Sequence, residues 1–343
     1  MSGPHIAAVI PCYRVGRKIL DVIRRIGPEV TAIYVVDDAC PEASGQLVET
    51  EINDPRINII RHPSNRGVGA ATMTGMMAAL ADGVDILVKL DGDGQMDPAF
   101  IPRLVDPIVR GQADYTKGNR FYAPEGLKDM PTIRLLGNAA LSFLAKLSSG
   151  YWQILDPSNG FTAMHAAVFA LLPQTKLSQR FFFECDVLFR LNLLRAKVVD
   201  VAIPASYADE KSNLRIRRIV LPFFFCLIRN FTKRVVYSYF VHDFSVGSLY
   251  LAFGLPVFLF GALIGTFEWI AYARDGTFAS AGTVMLAALP VIMGFQLLLS
   301  FLAYDVSNAP RDTLHRQLVG LSHHATSPQG GSPGTRLPNK RER

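Results

Sequence analysis

The chain has 343 residues, 50% of them apolar and only 19% charged. A soluble domain carries about 25% charge, so part of this chain belongs in lipid, and a disordered protein or a small disulfide-stapled scaffold is excluded. Basic residues exceed acidic ones by 35 to 29, a formal net charge of +6, and the four cysteines (Cys12, Cys40, Cys185, Cys226) form no C-x-x-C pair that would suggest a zinc or redox site.

Taken in order, residues 5–10 form an apolar run closed by Pro11. The run is too short for a signal peptide and reads as a strand. A helical pattern follows, with Ile19, Leu20, Val22, Ile23 and Ile26. Residues 32–36 read as a second strand closed by Asp37-Asp38, and residues 57–61 as a third, followed by Asn65-Arg66-Gly67 and a helix of small residues over 69–81. Residues 86–90 read as a fourth strand, closed by Asp91-Gly92-Asp93. Strands alternating with helices predict βαβ units and an α/β fold with a mainly parallel sheet covered on both faces. Ligands in such sheets sit beyond the carboxyl ends of the strands. All four polar clusters, including Pro11-Cys12-Tyr13, fall there.

Each cluster is modest alone. Two carboxylates on one tight turn, Asp91-x-Asp93, suit a hard divalent cation shared with substrate phosphates, although most such pairs are turns or caps. Asp97-Pro98 fits a helix start better than a ligand pair. One acid of Asp37-Asp38 fits a ribose or base. No G-x-x-x-x-G-K-[ST] is present and no G-x-G-x-x-G follows the first strand, which excludes a P-loop NTPase and argues against a Rossmann dehydrogenase.

The second half changes character. Residues 246–271 contain one acid, Glu268, and residues 282–304 contain no charge. Each run is long enough to cross a ~30 Å hydrocarbon core as a helix. The connecting residues 272–281 hold one basic residue, Arg274, whereas Arg215, Arg217, Arg218, Arg229, Lys233 and Arg234 precede the pair and Arg311 and Arg316 follow it. This bias predicts a transmembrane hairpin with both termini cytoplasmic. Residues 216–241 mix an apolar face with basic side chains and predict a helix lying in the membrane interface, broken near its start by Pro222. Residues 311–343 read as a disordered cytoplasmic tail.

Together, Pro11-x-Tyr13, Val35-Val36-Asp37-Asp38, Asn65-x-Gly67-x-Gly69 and Asp91-x-Asp93-x-Gln95 resemble the family 2 glycosyltransferases of GT-A fold. Downstream, Gly118-Asn119-Arg120, Asp156-Pro157-Ser158-Asn159-Gly160-Phe161 and Phe183-Glu184-x-Asp186 resemble the polyprenyl-phosphate branch, which includes dolichol-phosphate mannose synthases and undecaprenyl-phosphate glycosyltransferases. The resemblance covers about residues 5–215. It implies a GT-A catalytic domain over 1–215, a juxtamembrane segment over 216–241 and an anchoring hairpin over 246–304, in a prokaryotic plasma membrane. It implies a nucleotide-diphosphate sugar donor, UDP-glucose-like or GDP-mannose, a polyprenyl phosphate acceptor, and Mg2+ or Mn2+.

Residue by residue, the resemblance implies that Pro11, Tyr13, Asp37, Asp38, Asn65, Gly67, Asp91 and Gly92 bind the nucleotide. Asp91, Asp93 and Gln95 would organise the metal and diphosphate. Asp156 would be the general base, with Arg120, Arg134, Lys211 and Ser212 at the acceptor phosphate. Glu184 and Asp186 read as site-lining or as a helix start. Arg14 stands where the family often has an acid, which leaves uridine or guanosine open. No nucleic-acid partner is implied, and a homo-oligomer is compatible with two lipid-facing spans. Alternative readings are another membrane family 2 enzyme with a glycolipid or polysaccharide acceptor, although no Q-x-x-R-W-type motif is present, and a non-catalytic nucleotide-sugar sensor.

Overall fold

Strand β1 (Ile6–Cys12) is buried along its whole length, as a central parallel strand covered on both faces must be. Its side chains alternate between two cores. Ala8 and Ile10 join one, with Ile19, Val35 and Leu104, while Ala7 and Val9 join the other, with Met76, Phe169 and Leu188. In this computed structural model the described residues are 3–120, 132–204 and 216–318, with the side chains of 132–138 and 216–220 outside the description. Lys211 and Ser212, and the side chains of Arg134, Arg217 and Arg218, all singled out in the sequence, therefore lie outside the described residues.

The other elements are α1 (Lys18–Arg24), β2 (Ala32–Asp37), α2 (Ser44–Glu51), β3 (Ile57–Arg61), α3 (Val68–Ala81), β4 (Ile86–Lys89), α4 (Ile101–Val109), β5 (Tyr115–Asn119), α5 (Thr132–Ser149), β6 (Thr162–His165), α6 (Ala166–Leu171), α7 (Phe183–Leu193) and β7 (Val198–Ala202). Seven strands among the described residues form one sheet in the order β3-β2-β1-β4-β6-β5-β7. The four strands read from sequence are present and parallel where they pair. Only β6 is antiparallel to its neighbours, β4 and β5. That reversal matters for the site. A strand running against its neighbours enters the sheet at their carboxyl ends, so the residues just before β6, 156–161, arrive on the same rim as the polar clusters. Asp97 caps a short helical turn by accepting from Ala99 N–H at 3.0 Å, as its sequence context predicts.

Beyond the sheet run α8 (Ile216–Val236), a π-helical turn (Tyr237–His242), α9 (Val246–Asp275) and α10 (Ala281–Ser307). The helix α8 continues through Pro222, contrary to the predicted break; Pro222 lies in the second turn, so one forfeited hydrogen bond there is outweighed by those that follow. Helices α9 and α10 are long and apolar enough to cross a membrane, and only 11% of the most apolar window of each is buried. Their exposure distinguishes them from the core helices of a soluble domain. They pack on each other closely because glycines line the crossing: a Cβ on Gly261 would come within 2.7 Å of the Val291 nitrogen.

The structure corrects the start of the tail. Residues 311–318 return to the catalytic domain, with a turn of helix over 314–318. Asp114 accepts from the Leu314 and His315 amides, each at 2.8 Å, and lies 2.7 Å from His315 Nδ1. The His315 ring stacks on His165 with centroids 4.4 Å apart. Three contacts to one carboxylate order a segment whose composition alone gives no helical signal.

Candidate active site

The rim above β1, β2, β4 and β5 brings together most of the residues singled out in the sequence. At its centre, the turn after β4 carries Asp91 and Asp93, with Gly94 at φ +81° to close it tightly. Asp93 Oδ1 accepts from the Gln95 amide at 3.0 Å, while Gln95 itself is exposed. Burial pushes the Asp93 carboxyl above its ordinary value, and the neighbouring Asp91 carboxylate adds to the effect. Two acids crowded in this way favour a cation between or beside them.

Asp91 is held from below by a residue the sequence reading missed. Lys89, the last residue of β4, is 1% exposed and donates to Asp91 and to Glu184, both at 2.9 Å. Burial alone would lower the Lys89 ammonium, but the two carboxylates outweigh it and hold it above its ordinary value. Glu184, in the first turn of α7, is therefore site-lining. Asp186 is not: it accepts from Ser178 N–H, Arg190 and Asn230, tying α7 to α8. Gly160 passes directly over this group, and a Cβ there would meet Lys89 Nζ at 2.5 Å and Asp91 Oδ2 at 2.8 Å.

On the other side of the rim, Arg120 Nε donates to Asp156 at 2.9 Å. The Asp156 side chain is 2% exposed, whereas Arg120 is 37% exposed. Ser158 Oγ also donates to Asp156, at 3.2 Å. Beneath the pair, Lys117 is fully buried and donates to the Asn159 carbonyl. Burial lowers its ammonium, with Glu184 and Asp156 offsetting part of that effect.

Asp37 and Asp38 lie at the carboxyl end of β2, where their carboxylates are engaged by backbone amides. Asp37 accepts from the Cys40 amide at 2.7 Å and the Gly45 amide at 2.8 Å. Asp38 accepts from the Arg66 and Gly67 amides at 2.9 and 2.7 Å and lies 2.7 Å from His62 Nδ1. With exposures of 6% and 2%, both carboxylates hold the loops around the cleft. Donors at a strand end are the chain's own amides as readily as a ligand's. Asn65 joins the same loop, and Gly67 adopts φ +99° against the Gln179 carbonyl, which lies 2.6 Å from where a Cβ would sit. Pro11 is the next-to-last residue of the buried strand β1, and Tyr13 just beyond the strand is 42% exposed, with the Arg14 guanidinium 5.3 Å from its ring centre.

Asp200 on β7 is a further acid the sequence did not mark. Its Oδ2 accepts from the Leu155 amide at 2.8 Å, beside Asp156, and its Oδ1 is buried with no hydrogen-bond partner among the described residues. Burial pushes this carboxyl up to about 6, with Asp156 raising it and Lys117 and Lys146 lowering it. The folded value lies above the unfolded one, so the ionised form is disfavoured on folding. The cost sets in as pH rises from about 4 to 6 and is complete above that. Asp200→Asn keeps an acceptor for Leu155 and should stabilise the protein at pH 7.5 by about 1–2 kcal/mol, discounted for partial exposure. Melting curves should show the gain vanish near pH 4; an Asn variant that melts lower at pH 7.5 would refute this.

Residues 7–172 match the family described as Glycosyl transferase family 2. The chain carries a family 2 glycosyltransferase domain. This glycosyltransferase is 26% identical over 223 residues to the UDP-N-acetylglucosamine–dolichyl-phosphate N-acetylglucosaminyltransferase of Methanococcus voltae, covering 61% of this chain and 88% of that protein. It is 28% identical to the undecaprenyl-phosphate mannosyltransferase of Micrococcus luteus, over 58% of this chain and 82% of that one. It is also 28% identical to the polyprenol monophosphomannose synthase of Mycolicibacterium smegmatis, over 57% and 75%. Among solved structures, glucosyl-3-phosphoglycerate synthase of Mycobacterium tuberculosis, crystallised with Mn2+, UDP and glucosyl-3-phosphoglycerate, superimposes with a TM-score of 0.51 at 19% identity, over 68% of this chain and 80% of that one. At that identity the likeness speaks for the fold, which is GT-A.

Proposed function

We propose that this glycosyltransferase moves a sugar from a nucleotide-diphosphate donor onto the phosphate of a polyprenyl phosphate at the membrane surface. The observation that carries the reading is one rim holding the Asp91-x-Asp93 turn opposite the Arg120–Asp156 pair, in a chain that continues into two exposed apolar helices. The acceptors named for the relatives support the same choice.

In this reading Pro11, Tyr13, Asn65, Gly67 and Gly92 shape the nucleotide side, with Asp37 and Asp38 holding its loops. A divalent cation fits the donor set, since Asp91 and Asp93 offer only hard oxygen ligands. Such a site leaves coordination positions for diphosphate oxygens, as Mg2+ and Mn2+ sites commonly do. Gln95 adjoins them. The bound ion would supply charge neutralisation for the departing diphosphate.

The acceptor phosphate oxygen is already anionic, so attack on the anomeric carbon needs no proton removed. The bond from that carbon to the diphosphate breaks as the bond to the lipid phosphate forms, inverting the centre. This changes the part assigned to Asp156. A carboxylate engaged by Arg120 and Ser158 is suited to orienting rather than to general-base work. It holds Arg120 by Nε, and the terminal guanidinium nitrogens, which donate to no described residue, suit phosphate oxygens. Arg134, Lys211 and Ser212 complete the acceptor side in this proposal.

The deciding experiment incubates purified protein with polyprenyl phosphate, UDP- and GDP-sugars, and Mg2+ or Mn2+. A glycosyl-phosphoryl-polyprenol identified by mass fixes donor and acceptor together. Turnover confined to free sugar or a diacylglycerol product would overturn the assignment. The basic flanks of the hairpin support a cytoplasmic catalytic domain and cytoplasmic termini. With native cysteines removed, Thr277→Cys should react with an impermeant thiol reagent added outside the cell; reaction of Thr326→Cys instead would reverse the topology.

A further inference from the structure

The catalytic unit meets the membrane helices through a buried polar network centred on Asp305. This residue lies in the last turn of α10, and its partner Arg234 lies in the last turn of α8. Both side chains are 2% exposed. The guanidinium grips the carboxylate with two bonds, NH1 to Oδ1 at 2.7 Å and NH2 to Oδ2 at 3.0 Å. Tyr239 of the π-helical turn donates to Oδ1 at 2.7 Å, and Trp152 Nε1 donates to Oδ2 at 2.9 Å. Arg234 also donates to the Leu147 carbonyl at 2.9 Å. Leu147 and Trp152 belong to the catalytic domain, Arg234 to the juxtamembrane helix, and Asp305 to the second span.

The surroundings are shaped for this contact. Gly150, at φ +75°, lies where a Cβ would come within 2.8 Å of Arg234 NH1. The Tyr239 ring stands edge-on to Phe301 of α10, with centroids 5.2 Å apart. The π-helical turn itself is a rare backbone form often found at functional places. Apolar packing of the same volume commonly stabilises as well as a buried ion pair or better, so stability alone is a poor reason for this arrangement. What a bidentate, four-bond carboxylate provides over greasy packing is direction: it fixes distances and angles between elements.

We infer that the Asp305 network sets the height and tilt of the catalytic rim over the bilayer, making Asp305, Arg234 and Trp152 positioning residues for a membrane-borne acceptor. The inference rests on the proposed lipid acceptor. A polyprenyl chain keeps its tail in hydrocarbon, so its phosphate reaches a narrow range of heights. Reacting groups misplaced by about 1 Å can lose on the order of a hundredfold in rate. A soluble acceptor, free to diffuse into the cleft, has no such demand. Other ties join the units, among them Arg195 to the Asn308 carbonyl at 3.0 Å, Asn230 to Asp186 at 3.1 Å and His315 to Asp114. Loosening the network should therefore let the domain tilt without detaching it.

The test compares one donor with two acceptors, a long-chain polyprenyl phosphate in lipid nanodiscs and a water-soluble short-chain isoprenyl phosphate. The full-length protein and its Asp305→Asn and Trp152→Phe variants are assayed. Trp152→Phe removes a single donor and guards against a folding defect in the charge variant. The expected result is a fall in kcat/KM of about tenfold or more for the bilayer acceptor, with donor KM and the short-chain reaction within about twofold of the parent. Equal losses on both acceptors would show that the network only maintains the fold and overturn the inference, as would no loss on either. If the parent protein glycosylates neither phosphate, the reading of its function has failed and not this inference.

Discussion

Replacing Asp93 by Ala is expected to cut sugar transfer by about a thousandfold or more while leaving the protein folded. The asymmetry follows from what Asp93 touches. Among the described residues its carboxylate accepts from the Gln95 amide, a bond whose loss costs on the order of 1 kcal/mol. Against that, its burial beside Asp91 is itself unfavourable to the charged form, so removing the carboxylate relieves some repulsion. The melting temperature should move by only a few degrees. Catalysis is another matter. Losing one of the two proposed oxygen ligands should leave the departing diphosphate without its counter-charge, several kcal/mol of transition-state stabilisation. Activity of Asp93→Ala is measured with saturating Mg2+ or Mn2+, and activity of the parent in excess chelator. Retention of a tenth of the rate in either case would remove the metal from the proposal.

Much of this arrangement was legible in the chain itself, and the exceptions share a physical cause. The strands that carry Pro11, Asp37 and Asp91 announce themselves as short apolar runs closed by turn residues, and the two long apolar runs, with one charge between them, announce the hairpin. The antiparallel β6 does not: four residues, Thr162–His165, are too few for periodicity to show, and direction is a property of pairing rather than of composition. Lys89 looked like the end of a strand because its partner Glu184 lies 95 residues away. Asp305 with Arg234, 71 apart, and Asp114 with His315, 201 apart, are hidden for the same reason. Asp37 and Asp38 carry a structural part that the sequence did not show. Acids at a strand end fit a ligand by rule, yet here local backbone amides reach them first. Asp200 had no motif to mark it, and only its burial and an oxygen with no partner among the described residues set it apart.

Lys89→Met should be the most damaging single change in the core of the site. The ammonium is 1% exposed and neutralises Glu184 below and Asp91 above, each at 2.9 Å. Removing one member of a buried charge cluster leaves the others uncompensated, at a cost of about 3–5 kcal/mol. For a protein of this size that is a fall in melting temperature of about 10 °C. Because the flanking carboxylates hold the lysine charged well above neutrality, the penalty should be the same from pH 6 to 9. Adding Glu184→Gln should recover a large part of the stability, since the deeper of the two stranded charges is then neutral and 33% of the Asp91 side chain reaches solvent. Activity should not return with it. The double variant still lacks the cation that anchors the Asp91 carboxylate beneath Gly160, so kcat should stay at least about a hundredfold down, the scale of a misplaced reacting group. Stability and activity recovering together would mean that Lys89 only balances charge. Stability recovering alone assigns the lysine to the geometry of the Asp91–Asp93 turn.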